Sequence, residues 1–233
     1  MELSLVICTR NRSSSLRETL LSLKKIRGGL DWELVVVNNG STDDTGEVLN
    51  RFRQEFHRPF EIINEPKPGK GRALNAGWKI ARGPVIAFTD DDCYPAEDWL
   101  EAILACFQRD GIGFVGGRIL LHDPTDFPIT IQKLDRPVEL CPRDFIPAGL
   151  IQGANLAFRR TALEKVNGFD VRMGPGTPFV CEELDILARL LANGYTGAYD
   201  PRPLVYHHHR RKTAAEAASL MKIYDYGRGA YYA

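Results

Sequence analysis

An excess of charge of one sign is missing from this sequence: 30 Lys and Arg residues balance 30 Asp and Glu residues across 233 positions. No global field draws the chain onto nucleic acid or an anionic surface, so bound phosphate must be met by locally placed charge. Missing too is any run of roughly eighteen apolar residues, which excludes a bilayer-spanning helix. The opening MELSLVICTRNR has neither the basic start nor the small-residue cleavage site of a secretory signal. Cysteines are few and scattered, at Cys8, Cys93, Cys106, Cys141 and Cys181. Their spacing excludes a zinc knuckle or redox motif and reads as free thiols in a reducing cytoplasm. Internal repeats and low-complexity tracts are absent. What is present, 44% hydrophobic and 26% charged residues, is an ordinary globular composition. A chain of this length buries about 70–75% of its unfolded surface and needs no disulfide or structural metal to fold.

Short β-branched runs alternate with amphipathic patterns through the first half. Leu3 to Cys8 reads as a strand, followed by a helix with Leu16, Leu20 and Leu23 on one face. Ser15 and Glu18 have capping-box spacing at its start. Glu33–Val37 reads as a strand buried on both faces, and a helix carrying Val48, Phe52 and Phe56 follows. Glu61–Ile63 and Pro84–Thr89 are further strands, with a helix near Ala73–Ala81 between them. Pro95 is placed at the start of a helix aligning Trp99, Ile103 and Phe107. Such alternation predicts a parallel sheet with helices on both faces, with ligands at the carboxyl ends of its strands. Three polar loops stand at those ends: Thr9–Arg12, Asn38–Asp44 and Asp90–Cys93. Beyond residue 110, Ile112–Leu121 and Ala154–Arg159 read as strands around an irregular, proline-rich stretch. A helix at Glu182–Ala192 and a strand at Gly197–Tyr206 complete the second half.

The acidic triplet Asp90-Asp91-Asp92 follows a buried strand. In an extended chain Asp90 and Asp92 share one side and suit a hard divalent cation, whereas a solvated acidic turn is the plainer reading. His207, first of three adjacent histidines, ends the last strand and is the one chosen as a further ligand, imidazole suiting Mn2+ better than Mg2+. Lys70 and Arg72 flank glycines at a helix start, where a phosphate can be received. The segment matches neither a P-loop nor a dinucleotide fingerprint. Glu182, Glu183 and Asp185 open the second-half helix. Dipole capping and an Asp185–Arg189 surface pair compete there with a general base swung toward a cleft.

Taken in order, VICTRNR, VVNNGSTDDT, GKGRALNAG, FTDDD, GANLAFRR, the GFD at Phe169, CEELDILARLLANGY and LVYHHH resemble the family 2 glycosyltransferases over nearly the whole chain. The resemblance implies the GT-A fold: α/β, Rossmann-like, a mainly parallel central sheet flanked by helices, with a smaller acceptor-side subregion. It implies a nucleotide-sugar half at 1–110, an acceptor and catalytic half at 111–212, and a helical segment at 213–233. Thr9, Arg10, Asn11, Asn38 and Asn39 would meet the base and ribose, with Asn standing where the family commonly has Asp. Lys70, Arg72 and Asn75 would pack on the nucleotide and diphosphate. Asp90 and Asp92 match the metal-binding Asp-x-Asp motif, with Asp91 beside the nucleotide, and Mg2+ or Mn2+ as the implied cofactor. Glu183 matches the usual base, with Glu182 and Asp185 in contention. The implied reaction moves a sugar from a nucleoside-diphosphate sugar to an acceptor hydroxyl with inversion. The acceptor, whether glycan, lipid-linked or small molecule, is left open, and Gly153-Ala154-Asn155 and Gly174–Thr177 would shape its side.

For 213–233 the readings are a helix packed on the catalytic body and a membrane-surface helix, which would place the protein peripherally at the inner membrane face. A sugar nucleotidyltransferase is disfavoured because CTRNRSSS lacks the glycines of a triphosphate loop. A catalytically inactive nucleotide-sugar binder is disfavoured by intact acids at 90, 92, 182 and 183.

Overall fold

The computed structural model describes residues 1–232. In chain order the first elements are β1 (Leu3–Thr9), α1 (Ser13–Leu23), β2 (Trp32–Asn38), α2 (Thr45–Glu55), β3 (Phe60–Asn64), α3 (Lys70–Ile80) and β4 (Val85–Asp90). Next come β5 (Cys93–Pro95), α4 (Trp99–Cys106), β6 (Ile112–Leu121), β7 (Val138–Leu140), β8 (Leu156–Arg159) and α5 (Arg160–Lys165). The last are α6 (Glu182–Ala192), β9 (Thr196–His207) and α7 (Ala214–Tyr232). Ala233, the last residue of the expected C-terminal segment, lies outside the described residues.

One sheet runs through both halves in the order β3-β2-β1-β4-β8-β6-β9-β5, with β7 pairing β9. The first four strands are parallel. Beyond them β8 runs antiparallel to both β4 and β6, while β6 and β9 are again parallel. The order in which strands are added reverses at β1, because β2 leaves to one side and β4 arrives on the other. Crevices open at such switch points. The register aligns Thr9 with Asn38, Cys8 with Asp90, and Asn38 with Asn64, so four strand ends form one carboxyl edge.

Alternation along β1 explains the two-sided core. Leu3, Leu5 and Ile7 pack against Leu16, Leu20, Leu49 and Phe52, whereas Val6 faces Leu74, Trp78 and Phe88 on the other side. Gly77 lets α3 lie close on the sheet, since a Cβ there would overlap Val6 and press on Val37. Asn155 is a buried staple, 1% exposed. It accepts from Trp99 Nε1 (2.9 Å) and donates to the carbonyls of Arg118 (2.8 Å) and Pro203 (2.9 Å). It thereby ties α4 to the strand pair β6–β9 where their register shifts, and does not face an acceptor.

Several local expectations are corrected. The capping box does not form: α1 begins at Ser13, Ser15 Oγ accepts from Arg210, and Glu18 is drawn to Tyr94 and Arg210. Pro95 starts no helix, because Cys93–Pro95 pairs with β9 and α4 waits until Trp99. Helix α3 begins at Lys70, three residues before the apolar pattern, after Gly69 at φ +142°. The proline-rich stretch contributes a strand, β7, that its sequence did not announce.

Truncating Asn155 to Ala strands three buried partners, each worth about 1–3 kcal/mol when left unsatisfied. The expected loss is about 2–5 kcal/mol, read as a lowered urea midpoint at unchanged slope.

Candidate active site

Two adjoining cavities lie along the carboxyl edge. One, of about 400 Å3, is lined by Thr9, Arg10, Arg12, Asn39 and the Asp90–Asp92 turn. The other, of about 310 Å3, is lined by Glu182, Glu183, Gly153 and apolar groups including Ile131, Val180 and Met221. Lys70, Asp90, Thr130, Pro175, His207 and Tyr224 border both. The two hollows therefore meet at a charged partition.

The partition follows from the local fold. Strand β4 ends at Asp90, and Asp91-Asp92 form a tight turn into β5 rather than an extended chain. The carboxylates consequently divide differently from the alternating pattern expected. Asp90 Oδ1 meets Lys70 Nζ at 2.9 Å, and Lys70 also reaches Glu182 Oε1 at 3.5 Å. Asp91 Oδ1 meets Arg12 Nε at 2.9 Å, while Arg12 Nη2 pairs with Asp92 Oδ2. Pairing of Cys93 with His207 in the β5–β9 ladder sets His207 Nε2 3.4 Å from Asp92 Oδ1. On its other side His207 Nδ1 lies 3.2 Å from the Thr130 carbonyl. That contact favours a proton on Nδ1.

Burial and charge set the protonation of these groups. Burial works against ionised Asp92, but the hydrogen bond and charge of His207, with Arg12 and Lys70, hold its carboxyl well below the usual range. Burial pushes Asp91 up to about 7 against the pull of Arg12. Lys70 is held well above its ordinary value, because Asp90 and Glu182 outweigh the desolvation that opposes its charge. Burial also keeps the Cys93 thiol protonated.

Helix α6 begins after Cys181, a non-glycine residue at φ +82°, which turns the chain so that two acids enter the second cavity. Glu182 is committed to Lys70. Glu183 makes no side-chain hydrogen bond or ion pair among the described residues, and burial together with the neighbouring Glu182 charge pushes it up to about 8. Asp185 is excluded from this group. Arg189 grips it at 2.9 and 2.7 Å while donating to the carbonyls of Val166 and Gly168, so the surface-pair reading holds.

Other residues expected at the nucleotide make contacts within and between loops in this structure. Asn11 Oδ1 accepts from the Thr42 amide (2.7 Å), and Asn38 Oδ1 from the Ser41 amide (3.2 Å). Asn39 borders the first cavity yet spends its amide on the carbonyls of Glu65 and Lys67 and its oxygen on the Gly69 N–H. Asn75 clamps Phe169 through both its N–H and its carbonyl and accepts from Trp78, away from either cavity. Arg72 is exposed and borders neither. Thr9, Arg10, Lys70, Asp90, Asp91, Asp92, His207, Glu182 and Glu183 are brought together as expected.

Sequence reasoning named the Arg12 loop without its side chain, and missed Thr130, Arg211 and Tyr224. Three neighbouring carboxylates require a nearby cation, which was the available signal for Arg12. Nothing in the sequence marked Thr130, within the irregular stretch, as a neighbour of His207. Tyr224 comes from α7, which packs onto the body: a Cβ at Gly227 would overlap the Val180 carbonyl. No helix among the described residues is long and apolar enough to cross a membrane.

A switch-point sheet with acids at its carboxyl edge is the architecture of the GT-A transferases. The mannosyltransferase PcManGT from Pyrobaculum calidifontis, in complex with GDP-Man and Mn2+, has a TM-score of 0.72 at 22% identity, over 95% of this chain and 60% of that one. TarS 1-349 from S. aureus in complex with UDP-GlcNAc gives 0.68 at 18%, over 93% and 61%. At those identities the likeness is one of fold. The glycosyl transferase family 2 profile matches residues 4–166, well over half the sequence, and the chain belongs to that family. The pre-mycofactocin glycosyltransferase of Mycobacterium tuberculosis is 28% identical over 216 residues, 90% of this chain and 43% of the relative. The probable glycosyltransferase YdaM of Bacillus subtilis is 24% identical over 218 residues, 88% of this chain and 50% of the relative. The chain thus spans about half the length of these curated relatives.

The raised Glu183 carboxyl has a stability consequence. Between its ordinary value of 4.5 and about 8, the folded state holds a proton that the unfolded chain has released. Stability contributed by this group is therefore lost as pH rises through that window. Glu183→Gln removes the loss, so the variant's urea midpoint should match the wild type near about pH 5 and exceed it near about pH 9.

Proposed function

We propose that this chain transfers a sugar from a nucleoside-diphosphate sugar to an acceptor hydroxyl, with inversion, using Glu183 as base. The observation that carries this reading is the shared partition: a cavity rich in cations and carboxylates opens beside one holding an unpaired, half-buried glutamate. The first suits the diphosphate, which Arg10, Arg12, Lys70 and Arg211 surround with donors. The second suits the acceptor, whose hydroxyl would lie against Glu183 and attack from the face opposite the leaving group. A glutamate raised toward neutrality is matched to that task, since it takes a proton readily and is not locked in an ion pair.

The residues fit a divalent cation. Asp92, Cys93 and His207 offer ligand atoms within 4.8 Å of one another, and the donors read as ligands are the carboxylate and the imidazole. That mixture favours Mn2+ over Mg2+, and the solved relative holding GDP-Man and Mn2+ supports the choice. A cation bound by Asp92 and His207 would neutralise charge developing on the diphosphate. Asp90 is tied to Lys70 and contributes field rather than a free oxygen. Lys70 links the halves, holding Asp90 toward the donor and Glu182 away from Glu183's role. UDP and GDP donors both stand, because relatives of this fold are seen with each.

The test is release of nucleoside diphosphate from a panel of UDP- and GDP-sugars. Glu183→Gln should lower turnover by about 100-fold or more while leaving calorimetric binding of the diphosphate intact. Asp92→Asn should abolish Mn2+-dependent binding, and Asp185→Asn should leave turnover unchanged. Normal turnover in Glu183→Gln would assign the base elsewhere.

A further inference from the structure

Arg12 is placed where two demands on Asp92 collide. Its guanidinium bridges Asp91 Oδ1, at 2.9 Å, and Asp92 Oδ2, while the other oxygen of Asp92 faces His207. One of the two oxygens with which Asp92 would ligate a cation is therefore covered. The covering group is itself positive, and two like charges a few ångströms apart in a poorly solvated site repel strongly. Both acids are nearly buried, with side chains only 8% exposed, so their charge has little solvent to turn to; Arg12 compensates Asp91 and shares Asp92 with His207.

The guanidinium is also free to leave. Its backbone is anchored, the carbonyl accepting from the Leu16 amide at 2.9 Å. Its side chain is 40% exposed, borders the first cavity, and has no partner but Asp91 and Asp92 among the described residues. Lys70 differs, being held between Asp90 and Glu182 at α3's first turn. A diphosphate in the first cavity offers paired oxygens of the geometry a guanidinium fork prefers.

We propose that Arg12 is a positioning residue that couples cation to donor: it competes with the divalent cation for Asp92 and passes to the diphosphate when both bind. Cation alone then binds weakly, because it must displace Arg12 with nothing to receive it. Diphosphate supplies that receiver, and by linkage each ligand tightens the other by the same factor. This rests on the reading of Asp92 and His207 as cation ligands.

The experiment counts free Mn2+ by electron paramagnetic resonance for wild type, Arg12→Gln and Arg12→Lys, with and without UDP or GDP. The wild type should bind Mn2+ about tenfold or more tightly with diphosphate present. Arg12→Gln should bind Mn2+ alone about tenfold more tightly than wild type and gain little from diphosphate. Arg12→Lys keeps the charge without the fork, so Mn2+ alone should stay weak and the diphosphate gain should shrink. Equal affinity of wild type and Arg12→Gln for Mn2+ alone would overturn the coupling, as would an Arg12→Lys protein indistinguishable from wild type. A wild type that takes up no Mn2+ even with diphosphate would bring down the ligand assignment and this inference with it.

Discussion

Compensation of crowded negative charge at one edge of the sheet is the constraint on which the site depends. Asp90, Asp91, Asp92, Glu182 and Glu183 are gathered where β1 and β4 end and α6 begins. Such a cluster repels itself unless cations are built in beside it. Arg12 and Lys70 meet that need by taking different acids, which leaves Glu183 as the carboxylate of this group without a partner among the described residues. The same distribution separates the hollows by chemistry, with ion pairs on one side and an apolar wall around one glutamate on the other.

Rigid elements hold this arrangement in place. Asn39 ties the loop after β2 to the one before α3, while Asn11 and Asp43 bind the loops after β1 and β2 to each other and to the start of α1. Behind the site Asn155 fixes the β6–β9 pair to α4. Polar side chains that resemble ligands for a nucleotide are spent in this way on backbone groups. For Asn39, 4% exposed, leaving the amide unpaired would cost about 1–3 kcal/mol.

Much of this was legible in the sequence, for reasons of period and position. The runs LSLVIC and ELVVV are apolar enough to be strands buried on both faces, and α6 was bounded at Glu182–Ala192 by its stripe and its acids. What escaped depends on tertiary pairing. Pro95 can open a helix, but the ladder to β9 claims it first. Asp185 and Glu183 cannot be ranked by spacing alone; Arg189, anchored on the Val166–Gly168 carbonyls, decides between them. Asn75 has the look of a phosphate neighbour, yet the backbone of Phe169, far along the chain, takes its side chain.

The three consecutive histidines illustrate how little redundancy such an edge contains. His207 turns to Asp92, His208 to Tyr94 on the opposite side, and His209 to the Phe127 carbonyl. Because neighbouring side chains of a strand point to opposite faces, a frame slip of a single position would present the wrong imidazole to the acidic turn. The identity of the ring at that spot is fixed by the pairing of Cys93 with its counterpart on β9, so the reading frame between these two short segments matters as much as the residue itself.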